Sequence, residues 1–256
     1  MRISAGVTPL PLDADSETWG HDGGPTLGIV LGCGDVDGDG LQEALTGLGA
    51  TDLLIALEWP LPASSADAQS LIPQGSEAVY EARVDVQDFD GSGSPDVVLD
   101  ISYANPGVVS GIIQPATANL APEDAPIQFH FSTTANWRPT LATAGDVNGD
   151  GHKDIVGGDV TSGDGRGVAW ILLGPISAGT YTIDDADGTF SGSEPDADCD
   201  AGPNCVNYGS WVGKNVNSIG DVNLDGYDDI AIAAPHHSPD PTLHGPGVVY
   251  LFFGGE

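Results

Sequence analysis

Short apolar runs punctuate this chain, and the clearest of them each follow a polar, glycine-bearing turn. Glu43–Leu48 (EALTGL), Asp96–Ile101 (DVVLDI), Asp154–Asp159 (DIVGGD) and residues 229–235 (DIAIAAP) all stop close to Gly or Pro. None shows a helical period, so the pattern predicts short strands in an all-β chain. Residues 230–234, apolar throughout, predict a strand buried on both faces. Further apolar runs at 27–33, 51–57, 107–113 (GVVSGII), 167–174 (GVAWILLG) and 247–254 (GVVYLFFG) supply neighbouring strands. Residues 8–20 (TPLPLDADSETWG) resemble 182–192 (TIDDADGTFSG), and both read as outer strands. With 37 Gly and 19 Pro among 256 residues, turns are plentiful enough for such a fold.

The turns carry the chemistry. Residues 220–235 read GDVNLDGYDDIAIAAP: Asp221, Asn223 and Asp225 place an oxygen-bearing side chain at every second position. Gly226 sits where the backbone must turn sharply, Asp229 returns three residues later, and Tyr227 can add its carbonyl oxygen. Calcium takes about six to eight oxygens at about 2.3–2.6 Å from carboxylates and carbonyls, which this spacing can offer. The same register recurs three times. The first copy has Asp35, Asp37, Asp39, Leu41 and Glu43, and the second has Asp88, Asp90, Ser92, Ser94 and Asp96. The third has Asp146, Asn148, Asp150, His152 and Asp154. Up to four Ca2+ ions are therefore expected, with Leu41, Ser94, His152 and Tyr227 at the carbonyl position. Four copies in one register make internal repetition the leading feature.

An EF-hand loop also opens DxDxDG, but it closes on an acid at its twelfth residue and lies between helices. Here the twelfth positions are Thr46, Leu99, Gly157 and Ile232, and the acids stand at the ninth: Glu43, Asp96, Asp154 and Asp229. The pattern instead resembles the FG-GAP repeat of integrin α-subunit β-propellers and their bacterial relatives. In the fourth copy Tyr208-Gly209 stands for Phe-Gly and Ala233-Ala234-Pro235 for Gly-Ala-Pro, while in the third Gly157-Gly158-Asp159 replaces the latter. The first two copies keep the acidic loop and lose most of the flanking residues.

The resemblance implies a single β-propeller domain over 1–256, with four blades at about 21–77, 78–135, 136–192 and 193–256 and a calcium-binding hairpin loop in each. Loop starts at 35, 88, 146 and 221 give spacings of 53, 58 and 75, the last enlarged by an acidic insertion around Cys199 and Cys205. Residues 1–20 form an outer strand that completes the last blade in a closed four-bladed ring; a cut from a longer array would give the same phase. The resemblance also places partners on the face opposite the calcium loops, at residues 102–106, 159–166 and 236–246.

Composition narrows the function. The net charge is −32, and the four loops account for only 13 of the 38 acidic residues, so the remaining surface is strongly anionic. Six Lys plus Arg cannot neutralise phosphates, which excludes nucleic acid and disfavours anionic membranes. No run is long enough for a membrane span, so no membrane insertion is expected. Cys199 and Cys205 bracket a turn-prone DAGPN and are read as a local disulfide. With calcium, that points to an extracellular or cell-surface location. Cys33 aligns with Ala144 and Ile219 and is read, like them, as a small packing residue.

Other chemistry is sparse. His236, His237 and His244 lack the spacing of a transition-metal site and read as exposed loop residues. Residues 209–214 (GSWVGK) are one residue short of a phosphate loop and read as a strand packing Trp211 and Val212. Neither GxSxG nor HExxH occurs. The resemblance thus implies a calcium-stabilised, non-catalytic binding or adhesion module with a protein or glycan ligand. The alternative is the scaffold of a polysaccharide-active lyase or hydrolase. That reading needs clustered cations, whereas Arg83, Arg138, Arg166, Lys153 and Lys214 are scattered.

Overall fold

The computed structural model describes residues 27–37, 39–48, 53–57, 69–72, 82–101, 111–115, 124–130, 140–162, 166–192, 209–237 and 246–255. The all-β expectation holds: the described residues form sixteen strands and one 3-10 turn, Ile183–Asp185. They fall into four sheets that follow chain order. The first sheet is the meander β1 (Leu27–Gly34), β2 (Glu43–Leu48), β3 (Leu53–Leu57) and β4 (Gln69–Ile72). The second runs β5 (Ala82–Gln87), β6 (Asp96–Ile101), β7 (Gly111–Pro115) and β8 (Ile127–Phe129). The third has β9 (Thr140–Gly145), β10 (Asp154–Asp159), β11 (Val168–Leu172) and β13 (Gly188–Ser191). The fourth has β14 (Asn215–Gly220), β15 (Asp229–Ala234) and β16 (Val248–Phe252).

In every sheet the acidic loop joins the first strand to the second, so all four loops occupy equivalent corners. The first strands stand in a row, β1 beside β5, β5 beside β9 and β9 beside β14. Among the described residues no sheet closes on itself, and β1 and β14 are not packed together as consecutive members of the row are. Residues 1–20, expected to complete the last blade, lie outside the described residues, as do Cys199 and Cys205.

Strand alternation builds the core. Leu141, Ile155, Trp170 and Leu172 project toward the second sheet and pack with Phe89, Val98, Ile113, Ile127 and Phe129. Their neighbours Ala142, Ala144, Val156 and Ala169 project the other way, against Val212, Val216, Ile230, Ile232 and Ala234 of the fourth sheet. The third sheet is therefore covered on both faces, and all of β10 is buried. Trp170 needs space: a Cβ on Gly157, its cross-strand partner, would strike the indole. A Cβ on Gly158 would strike the Gly213 backbone, which is a physical reason for Gly-Gly at 157–158 in place of Gly-Ala.

Three expectations change. Residues 230–234 were expected to be buried on both faces, but β15 alternates, with Ala231 and Ala233 half-buried, because only one face meets the third sheet. Ile219, aligned with fully buried Ala144, is 37% exposed for the same reason. Of the apolar run at 107–113, residues 107–110 lie outside the described residues, while Gly111–Ile113 pair with β6 and the strand extends to Pro115.

A strand not anticipated, β12 (Gly179–Tyr181), leaves the third sheet and pairs parallel to β8 at the edge of the second. Residues 179–191 thus serve two sheets. Phe129 is stacked between Trp170 and Tyr181, each 5.7 Å away, which fixes this crossing.

Candidate metal centres

Each acidic loop is a ladder of side chains accepting backbone N–H groups. The first-position carboxylate accepts from the sixth-position glycine: Gly40 to Asp35 at 2.9 Å, Gly93 to Asp88 at 2.9 Å, Gly151 to Asp146 at 3.0 Å and Gly226 to Asp221 at 2.9 Å. Those glycines have φ between 83° and 97°, a left-handed conformation that brings the chain around. The third position accepts from the fifth (Asp37, Asp90, Asn148, Asn223), and the fifth accepts from the seventh (Asp39, Ser92, Asp150, Asp225). The donors to the fifth position are the amides of Leu41, Ser94, His152 and Tyr227, the residues expected to offer carbonyls. These bonds hold alternate oxygens on the inside of the turn.

The ninth position differs in depth. Glu43, Asp96, Asp154 and Asp229 are all buried, and each accepts the second-position amide: Val36 at 2.7 Å, Phe89 at 3.0 Å, Val147 at 2.7 Å and Val222 at 2.9 Å. Burial pushes the carboxyls of Glu43, Asp96 and Asp154 above the ordinary range, backbone hydrogen bonds oppose it, and nearby loop acids add to it. Exposed Asp150 is shifted down by the amide of His152 and the side chain of Asn148.

In the first loop, one oxygen from each of Asp35, Asp37 and Asp39 lies within 4.8 Å of the others, and Asp88, Asp90 and Asp96 do the same in the second. In the third and fourth loops an asparagine takes the middle place, its Nδ2 bonding Asp150 at 2.8 Å and Asp225 at 2.7 Å. The Oδ1 atoms of Asp88 and Asp146 are buried and have no hydrogen-bond partner. A buried carboxylate oxygen without a donor, among further oxygen ligands, suits a hard divalent cation and fits Ca2+.

Sequence reasoning missed the outer support of these acids. Gly174 N donates to Asp154 Oδ1 at 2.8 Å and Gly254 N to Asp229 Oδ1 at 3.0 Å. The signal was present in the glycine that ends both GVAWILLG and GVVYLFFG.

At the far ends of the sheets the expected partner loops are only partly described, and residues 102–106, 163–165 and 238–245 with His244 lie outside. Buried Asp159 accepts the Thr161 amide at 2.8 Å, the Thr161 hydroxyl at 2.6 Å and the Ser162 hydroxyl at 2.9 Å, which sets the start of its loop. His236 and His237 are half-buried rather than exposed: one ring lies 4.2 Å from Trp211 and the other 6.1 Å from Tyr250. Trp211 and Val212 pack as expected, but ahead of the strand, which begins at Asn215.

Comparison with known proteins adds three findings. Residues 216–252 match the FG-GAP repeat family. Over 183 residues, 65% of this chain, it is 31% identical to integrin alpha-PS2 of Drosophila melanogaster. Over 138 residues, 50% of the chain, it is 28% identical to integrin alpha-IIb of Mus musculus. In both cases the match spans 11% of the relative's length.

Proposed function

With an FG-GAP repeat in its sequence and integrin α-subunits among its relatives, this is an FG-GAP, integrin-α-like chain, and we propose that it is a calcium-stabilised, non-catalytic binding module of the adhesion type, acting outside the cell. The observation that carries this reading is the recurrence of one donor register in four loops, with buried, unpartnered carboxylate oxygens in two of them. The sheets are the blades of a propeller, one cation site per blade.

Within each loop the first, third, fifth and ninth side chains and the seventh carbonyl would hold the ion: Asp35, Asp37, Asp39, Glu43 and Leu41 in the first loop, and their counterparts in the others. The ion supplies positive charge that relieves repulsion among these acids and answers the buried ninth carboxylate. The ladder of backbone donors holds part of the oxygen set in place, which lowers the ordering cost that remains when the ion arrives. The role is structural: the acids clamp the corner of each sheet, and no group in them is placed for proton transfer.

Protein or glycan ligands then engage the opposite ends of the sheets, at residues 102–106, 159–166 and 236–246. The clip at Asp159 and the Trp211–His236 contact support rigid bases for two of these loops.

Excess chelator should lower the melting temperature, and calcium should restore it, each site adding about 2.7 kcal/mol at a hundredfold excess over its Kd. An unchanged melting curve in chelator overturns the calcium reading. Replacing 159–166 and 236–246 with Gly-Ser turns should abolish binding to whichever protein or glycan scores on an array, with calcium-dependent melting intact. Binding that survives both replacements moves the partner face elsewhere.

A further inference from the structure

The third and fourth loops are joined by more than neighbouring strands. Asp146 N donates to Asp228 Oδ2 at 2.8 Å, and Asp228 N donates back to the Asp146 carbonyl at 2.9 Å. The first residue of one loop is thereby clamped by the residue just before the last acid of the next. Lys153 Nζ stands 3.5 Å from the same Asp228 oxygen. A Cβ on Gly145 would strike the Asp228 carboxylate, and one on Gly149 would meet the Tyr227 ring, so the two loops touch across bare backbone.

A second path runs beside the first. Gly255 N donates to the Val147 carbonyl at 2.8 Å, while Gly254 N donates to Asp229 Oδ1. Val147 N in turn donates to Asp154 Oδ2. The two buried ninth-position acids, Asp154 and Asp229, therefore lie at the ends of one hydrogen-bonded chain through Val147 and the Gly254-Gly255 pair. The motif repeats one step back, where Ile176 N donates to the Phe89 carbonyl at 2.8 Å and Gly174 N to Asp154.

Asp228 stands outside the repeated donor set. The equivalent residues are Gln42, Pro95 and Lys153, so the liganding pattern does not require an acid there. It is nevertheless the acceptor for the amide of Asp146, whose own Oδ1 is buried without a partner.

We infer that the third and fourth loops bind cations as a coupled pair and that Asp228 is the positioning residue that couples them; this rests on the cation reading above. Filling the fourth loop fixes Asp225 and Asp229, and with them the intervening Tyr227 and Asp228. A fixed Asp228 holds Asp146 N, which keeps Asp146 Oδ1 facing the interior of the third loop. The ordering cost of the second site is then already met when the first is filled. By linkage the effect is reciprocal: the third loop, once filled, favours the fourth equally.

The test is a residue-resolved calcium titration of the whole chain, following the amide resonances of Gly151 and Gly226, the sixth residues of the two loops. In the native chain both should respond. Asp225→Ala should silence Gly226 and also weaken the calcium midpoint read at Gly151 by about fivefold or more, the low end of usual coupling. Asp228→Ala should weaken Gly151 similarly, and adding Asp225→Ala to it should cause no further loss. Asp228→Asn, which keeps an oxygen to accept the Asp146 amide, should recover part of the affinity. That recovery separates positioning from mere loss of packing. If Asp228→Ala does not fold, Asp228→Asn decides, since the effect of Asp225→Ala on Gly151 must shrink in that background. A Gly151 midpoint that ignores Asp225→Ala while Gly226 is silent overturns the coupling and leaves the cation reading standing. No response from either glycine in the native chain overturns both.

Discussion

Asp154 and Asp150 belong to the same loop, yet they should fail differently when removed. Asp154 is fully buried and accepts two backbone donors, Val147 at 2.7 Å and Gly174 at 2.8 Å. Asp154→Ala leaves both amides without their acceptor, at about 1–3 kcal/mol each. Part of this is returned, because burial already disfavours the charged carboxyl. The net loss should be about 2–4 kcal/mol without any cation, or roughly 5–15 °C in Tm for a domain of this size. Asp150 is exposed, and among the described residues its carboxylate accepts only the His152 amide and the Asn148 side chain. Asp150→Ala should change stability by no more than about 0.5 kcal/mol in chelator. In calcium it should forfeit the increment of its site, about 2.7 kcal/mol at a hundredfold excess over Kd. Calorimetric melting of both variants and the parent, each in chelator and in calcium, reads all four quantities. An Asp154→Ala protein that melts with the parent in chelator would show that the buried acid serves the ion alone. An Asp150→Ala protein that loses as much in chelator as Asp154→Ala would sink the division by burial.

Two further outcomes follow from the same geometry. Glu43, Asp96 and Asp154 have carboxyls raised by burial, so between the ordinary carboxylate pKa of about 4 and their raised values the folded chain holds more protons than the unfolded one. Stability of the chelated protein must therefore fall as pH rises through that window, and the net charge of −32 pushes the same way. Melting in chelator should be higher at about pH 4.5 than at pH 7, with the calcium increment growing over that interval; a chelated Tm that climbs toward pH 7 contradicts the account. Trp170→Ala empties a 2% exposed site between the second and third sheets and should cost about 3–5 kcal/mol in denaturant titrations, calcium present or not. A loss below about 1 kcal/mol would mean that Phe129 and Tyr181 refill the space.

The sequence exposed whatever is local. The donor register at Asp146, Asn148, Asp150 and Asp154 was legible because each side chain bonds an amide two to seven residues away. The apolar runs that form β10 and β11 were legible as strands from the local sequence alone. What stayed hidden is set by partners far along the chain. Asp228 meets Asp146 across 82 residues, β12 joins a sheet that precedes its own, and β15 is half-buried because only one of its faces meets a sheet. Periodicity encodes which side of a strand is apolar and carries no information on which sheet will cover it.

The fourth position of each loop shows how two causes behind one residue type can be separated. Gly91 and Gly149 hold it with φ of 73°, and Leu224 holds it with φ of 63°. If left-handed backbone alone called for glycine, Leu224 would carry the strain of about 1–2 kcal/mol that such a conformation costs. The fourth loop nonetheless keeps the same turn, so that strain is tolerated. The difference lies in what comes next in space. A Cβ on Gly149 would meet the Tyr227 ring, and one on Gly91 would crowd Pro175 and His152, each from the following sheet. Leu224 is 87% exposed, so among the described residues no side chain claims that space. Glycine at the fourth position is therefore demanded chiefly by the approach of the next loop, the same approach that brings Asp228 onto Asp146.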